Sequence, residues 1–197
     1  MPPIIEITKD KIVDAAFEIA REQGLDALTA RNIAQKVKCS TQPIYSACGN
    51  MEEIKNETYH MAVDFALHSI NKYENENNSP ALNFAIGFLH FAKNEKHMFR
   101  TVYLSGHKKY DLSKDKFIGE EMMAAYMRHS KRLHTISESK LRKIYLRLSI
   151  YLIGIGTIMN SNLLELEINE AIEMVREMYE TVLLSEGITN SKDGQKI

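Results

Sequence analysis

The 197-residue sequence has no tryptophan, two cysteines and four prolines, and two of those prolines are Pro2 and Pro3. With proline so scarce, nothing interrupts long helices. No segment alternates apolar and polar residues over the length of a strand, so sheet architectures drop out and helical spacing dominates. Cys39 and Cys48 are too few and too close for a disulfide framework, and their spacing matches no metal site. The longest apolar run, 150–159, is far short of the ~18–20 residues of a membrane span, so no membrane partner is expected. The start of the chain lacks a basic segment followed by an apolar one, which excludes a signal peptide and points to the cytoplasm. The net charge is only −1, so any attraction to nucleic acid must come from a local patch.

The helical pattern is regular. Thr8 is a suitable N-cap for a helix over Lys9–Gln23, with Ile12, Val13, Ala16, Phe17 and Ala20 on one face and Gly24 as its stop. A second helix follows Thr29 and runs to Val37. A third follows Ser40 and ends before Gly49, with Pro43 in its first turn. Asn50 and Glu53 read as a capping-box variant opening a long fourth helix that runs to about Tyr73. The polar stretch 74–80 is a loop. The next helix, ALNFAIGFLHFAKNE, is apolar on nearly every side and belongs inside a bundle. A short helix lies within 95–106. Longer ones are expected over about Lys114–His134, Glu138–Asn160 and Asn169–Ser185, followed by a frayed polar tail over 186–197. The expected fold is all-α with about nine helices. A three-helix domain, residues 1–50, precedes a larger helical bundle, residues 51–197, that binds ligand and dimerises.

Only Lys38, Cys39 and Ser40 separate the second and third helices, so the pair reads as a helix-turn-helix. In that motif the second helix enters the major groove of DNA. Its outer face then needs small donors and acceptors, which Thr41, Gln42, Tyr45 and Ser46 supply, while Ile44 and Cys48 seat it. From 29 to 51 the chain holds Arg31, Lys36 and Lys38 and no acid. DNA carries a negative charge every ~1.7 Å of helix axis, so a carboxylate in the footprint would repel it.

The stretch TKDKIVDAAFEIAREQGLDALTARNIAQKVKCSTQPIYSACGNMEEI resembles the N-terminal domain of TetR-type transcriptional regulators. The landmarks are Ala15-Ala16-Phe17, Gly24, Leu28-Thr29, Ile33-Ala34, Val37, Ser40, and Ile44-Tyr45 followed by Gly49, Asn50 and Glu53. The resemblance spans about 50 residues without a gap; the rest of the chain matches only in the number and length of its helices. It implies that Thr29 and Arg31 contact phosphate. It also implies that Thr41, Gln42, Pro43 and Ser46 face the groove and that Tyr45 bonds a phosphate. Ser40 joins this DNA-binding set. Three positions depart from the family: Lys38 where it has glycine, Cys48 where it has an aromatic residue, and Met51 where it has lysine. Lys38 adds a phosphate-seeking charge, and Lys55, one turn beyond Met51, is placed to replace the missing cation.

A helix-turn-helix works as a symmetric pair, so a homodimer on a double-stranded, palindromic operator is expected. The stripe Leu141, Leu148, Leu152, Ile155 and Met159, with Val175, Tyr179 and Val182 of the last helix, is the candidate dimer face. Residues 128–147 carry a net charge of +6 and 165–186 one of −6, which would steer packing between helices. Aromatic and Met side chains concentrate in the fourth to eighth helices. Phe65, Phe88, His90, Phe99, Tyr103, Met122, Met123, Tyr126 and Tyr145 are candidate lining for a small lipophilic or aromatic effector, although such residues also fill cores. No catalytic, cofactor or metal constellation is present in the sequence. Two other readings stay open: a helical ligand carrier whose DNA-binding domain is degenerate, and a helical-bundle enzyme or a bundle holding a metal or haem cofactor.

Overall fold

A computed structural model describes residues 7–161 and 163–189. The expected frayed tail lies, from 190 onward, outside the described residues, as does the start of the chain. Among the described residues the fold is all-helical, with nine α-helices: α1 (Lys9–Gln23), α2 (Ala30–Val37), α3 (Thr41–Cys48), α4 (Met51–Asn71), α5 (Pro80–Asn94), α6 (Lys96–Phe99), α7 (Glu120–Arg128), α8 (Glu138–Asn160) and α9 (Ile168–Ser185). A 3-10 turn covers Leu25–Ala27 and a π-helical turn covers Arg100–Leu104. No helix among the described residues is long and apolar enough to cross a membrane.

The chain packs as two compact units. One holds the residues up to Ala66 together with Glu95–Lys108; the other holds Leu67–Asn94 and the residues from Lys109 onward. In the first, Thr8 accepts a hydrogen bond from the Lys11 N–H and starts α1. The apolar face of α1 is buried through Ile12, Val13, Ala15, Ala16, Ile19 and Ala20. It packs on α2 and α3, whose Ile33 and Ile44 are completely covered. Each such isoleucine stabilises the unit by about 1.5–3 kcal/mol. Asn50 caps α4: its Oδ1 accepts from the Glu53 N–H at 3.0 Å, and its amide donates to the Glu53 carboxylate at 2.8 Å.

In the second unit α5 is buried along most of its surface and packs against α7, α8 and α9. Gly87 lets α5 approach the end of α4 closely, because a Cβ there would collide with the carbonyl oxygen of Ile70. The helix expected over Lys114–His134 is shorter, Glu120–Arg128. Gly119, at φ 81°, breaks it, and the Phe117 N–H donates to the Glu120 carboxylate at 2.9 Å instead of continuing a helical ladder. The buried Glu120 is paired at 3.0 Å with Arg142 of α8, and Tyr145 donates to the Ile118 carbonyl. These bonds hold 117–119 as a turn. Beyond Arg128 the chain runs through turns to 136, with Leu133 fully buried.

Candidate nucleic-acid interface

The turn between α2 and α3 is set by backbone hydrogen bonds. Lys38 adopts the left-handed conformation, φ 58° and ψ 47°, alone among the described non-glycine residues. Its N–H donates to the Gln35 carbonyl at 3.3 Å, and the Cys39 N–H donates to the Ala34 carbonyl at 2.9 Å. That pair of bonds closes a helix end at a position glycine usually occupies. Holding a lysine there costs about 1–2 kcal/mol. In exchange, the tight reversal carries an exposed ammonium at its tip.

The start of α3 has a distinctive chemistry. An N-cap hydroxyl ordinarily accepts from the N–H two or three residues on. Three residues after Ser40 stands Pro43, which has no N–H, and the Ser40 side chain makes no capping bond. Its hydroxyl is left at the mouth of the helix beside the exposed side chains of Thr41 and Gln42. Pro43 is half-buried. One turn on, Tyr45 is 46% exposed and Ser46 is exposed. Ile44 and Cys48 face inward with 0% and 3% exposure. Cys48 thus seats the helix despite being smaller than an aromatic ring, and burial pushes its thiol above the ordinary value. Thr29 caps α2, its hydroxyl oxygen accepting from the Asn32 N–H at 3.1 Å. The hydroxyl hydrogen stays available to an outside acceptor.

The cations around the motif are not equivalent. Arg31 and Lys38 are exposed and, among the described residues, form no ion pair. Lys36 turns back onto α1 and pairs with Glu18 at 2.9 Å and Glu22 at 3.3 Å. The Glu18 hydrogen bond raises its pKa above the usual lysine value. One of the three positive charges counted from the sequence is therefore neutralised, and nothing local in the sequence signals it, since its partners lie 14 and 18 residues away. Lys55 is half-buried.

The other candidate residues divide between the two units. Phe65, Phe99 and Tyr103 belong to the first; Phe88, His90, Met122, Met123, Tyr126 and Tyr145 belong to the second. Phe88, Phe99, Met123 and Tyr145 are buried, while Met122 and His90 are half-buried. His90 stacks on Tyr73 at 5.2 Å. Tyr126 lines a cavity of about 300 Å³, and Tyr145 lines a crevice of about 40 Å³. Burial lifts the Tyr145 phenol far above its ordinary pKa. Of the candidate dimer stripe, Leu141, Leu152, Ile155, Val175 and Val182 are buried within the single chain, and Leu148, Met159 and Tyr179 are half-buried. The side chains α8 and α9 leave open are different: Ile150 is 72% exposed, Leu184 59% and Met174 37%.

No family model and no curated protein matches this sequence. Among solved structures, a TetR-like transcriptional regulator from Rhodococcus sp. RHA1 matches with a TM-score of 0.60, over 89% of this chain and 95% of that one, at 14% sequence identity. At that identity the likeness is one of architecture: the chain has the fold of a TetR-like regulator.

Proposed function

We propose that the protein is a ligand-responsive transcriptional regulator, a repressor, that binds a palindromic operator as a homodimer. Residues 1–50 form its DNA-reading domain, and 51–197 bind the effector and the second copy. The observation that carries this reading is the face of α3. Thr41, Gln42, Tyr45 and Ser46 project outward, seated by buried Ile44 and Cys48, with Arg31 and Lys38, which form no ion pair among the described residues, in the same motif and no carboxylate from 29 to 51. Side-chain donors and acceptors read base edges, and cations and hydroxyls fix the register on phosphates.

The second copy docks on the outer face of α8 and α9, where Ile150, Met174 and Leu184 are exposed and Gly154 presents no side chain. The stripe from Leu141 to Met159 forms the floor beneath that face. Effector binding in the larger domain shifts the population between a DNA-competent spacing of the two reading helices and an incompetent one. The effector is a small lipophilic or aromatic molecule.

Selection of bound fragments from random duplex DNA tests the reading. Enrichment of a palindrome is expected, and Tyr45→Ala should bind that palindrome more weakly with its melting temperature unchanged. No enriched sequence, or unchanged affinity in Tyr45→Ala, would count against it and favour a carrier that no longer reads DNA.

A further inference from the structure

We propose that the second unit carries a binding site for a small organic cation, in the cavity of about 300 Å³ at the C-terminal end of α4. Its regulatory meaning rests on the effector reading above; the binding itself does not.

The cavity has an apolar wall of aromatic rings. Phe84 and Tyr126 lie 6.2 Å apart between centroids, and Tyr73 stacks on His90. Glu74 and Glu76 also line the cavity. Both are exposed, and neither has an ion-pair partner among the described residues. Among the described residues no lysine or arginine lines the cavity. Arg176 of α9 reaches the lining residue Asn78, donating to its Oδ1 at 3.0 Å, and sits 3.5 Å from Glu173.

The polar lining is held by its own hydrogen bonds. The Tyr126 hydroxyl donates to Asn71 Oδ1, so its proton is used. The Asn78 amide donates to Asn83 Oδ1 at 3.0 Å, and the Asn83 amide donates to the Asn75 carbonyl at 3.1 Å. These bonds tie down the 74–80 loop, and the charged groups that line the space are the carboxylates of Glu74 and Glu76. The end of α4 and the start of α5 at Pro80 both border the space, so their dipole ends oppose each other and the charge balance rests on the two carboxylates. Carboxylates and aromatic faces each attract a positive charge and repel a negative one. The size is at the low end for small-molecule sites. A single ammonium head with a compact apolar body fits this combination.

The test uses the full chain, isotope-labelled and without DNA, titrated by NMR with benzyltrimethylammonium, benzyl alcohol and benzoate. The cation should shift the signals of residues 71–84 and 126 and bind roughly tenfold tighter than benzyl alcohol, with benzoate silent. Glu74→Gln combined with Glu76→Gln should reduce cation binding to the level of the alcohol. Tyr126→Leu, which keeps both carboxylates, should also weaken it. Absent shifts with the cation, benzoate binding as well as the cation, or full cation affinity in the double glutamine variant would each overturn the site. Because no DNA is present, its failure leaves the DNA-reading proposal untouched, and a failed operator search leaves the cation result standing.

Discussion

Arg21 of α1 and Glu95 form a two-pronged ion pair. Arg21 Nε donates to Glu95 Oε2 at 3.0 Å, a terminal guanidinium nitrogen meets the other oxygen, and the guanidinium carbon lies 4.7 Å from the centre of the Phe65 ring. Phe65 in turn meets Phe17 of α1 edge-on at 5.6 Å. One side chain thus fastens the first helix to the residue preceding α6 and to α4. Arg21→Ala loses both the pair and the ring contact, whereas Glu95→Gln loses only the pair, so the former should cost more. With both groups partly exposed, the coupling in a double-mutant cycle should be about 0.5–1 kcal/mol. Thermal unfolding of the four proteins measures it; additive effects would mean the pair contributes nothing.

Replacing Lys38 by glycine separates stability from binding. The left-handed strain disappears, while the glycine gains freedom in the unfolded chain, for a net gain of about 0.5–1 kcal/mol. A charge at the tip of the turn is lost with it. The melting temperature should rise, and the slope of log affinity against log salt should fall by about one. A drop in melting temperature would contradict the conformation assigned to Lys38.

Arg31 and Lys36 should behave oppositely. Arg31→Ala removes an unpaired cation and should lower the salt slope by about one. Lys36 is already matched by Glu18 and Glu22, so Lys36→Ala should leave the slope unchanged and cost under about 1 kcal/mol of stability. Equal slopes for the two variants would show that sequence position, not pairing, decides which charges reach phosphate.

Gly87→Ala tests the approach of α5 to the end of α4. In an open helix alanine is favoured over glycine by about 1 kcal/mol. Here the added carbon meets the Ile70 carbonyl, and the sign should reverse, with a loss of about 1–3 kcal/mol. Urea unfolding gives the answer; stabilisation would mean the two segments are farther apart.

Helix bounds were legible wherever caps and periodicity agreed. Thr8 with Gly24, and the unbroken apolar spacing from Leu141 to Met159, place Lys9–Gln23 and Glu138–Asn160 where they are found. The seventh helix misleads because Phe117, Met122 and Met123 keep helical spacing across Gly119, whose positive φ sits in a turn held by a local bond from the Phe117 N–H to Glu120 and a tertiary one from Tyr145 to Ile118. On α3, polarity alone separated the outward Thr41, Gln42, Tyr45 and Ser46 from the inward Ile44 and Cys48. Periodicity found the apolar stripe of α8 but not its destination, since a stripe that packs inside one chain and a stripe that meets a second copy have the same spacing. The cavity at the end of α4 was hidden for a different reason. Its residues come from a polar loop that reads as a spacer, and only the fold brings Tyr126 to it.

The most direct test attaches an iron–EDTA cleaving group to a Ser46→Cys protein in a Cys39→Ser background, with Cys48 protected by its burial. On the selected palindrome, strand cleavage should fall in two symmetric clusters in the major groove, about one helical turn or ~34–36 Å apart. Cleavage at a single unpaired position, or scattered evenly along the duplex, would contradict a reading helix presented in twofold pairs.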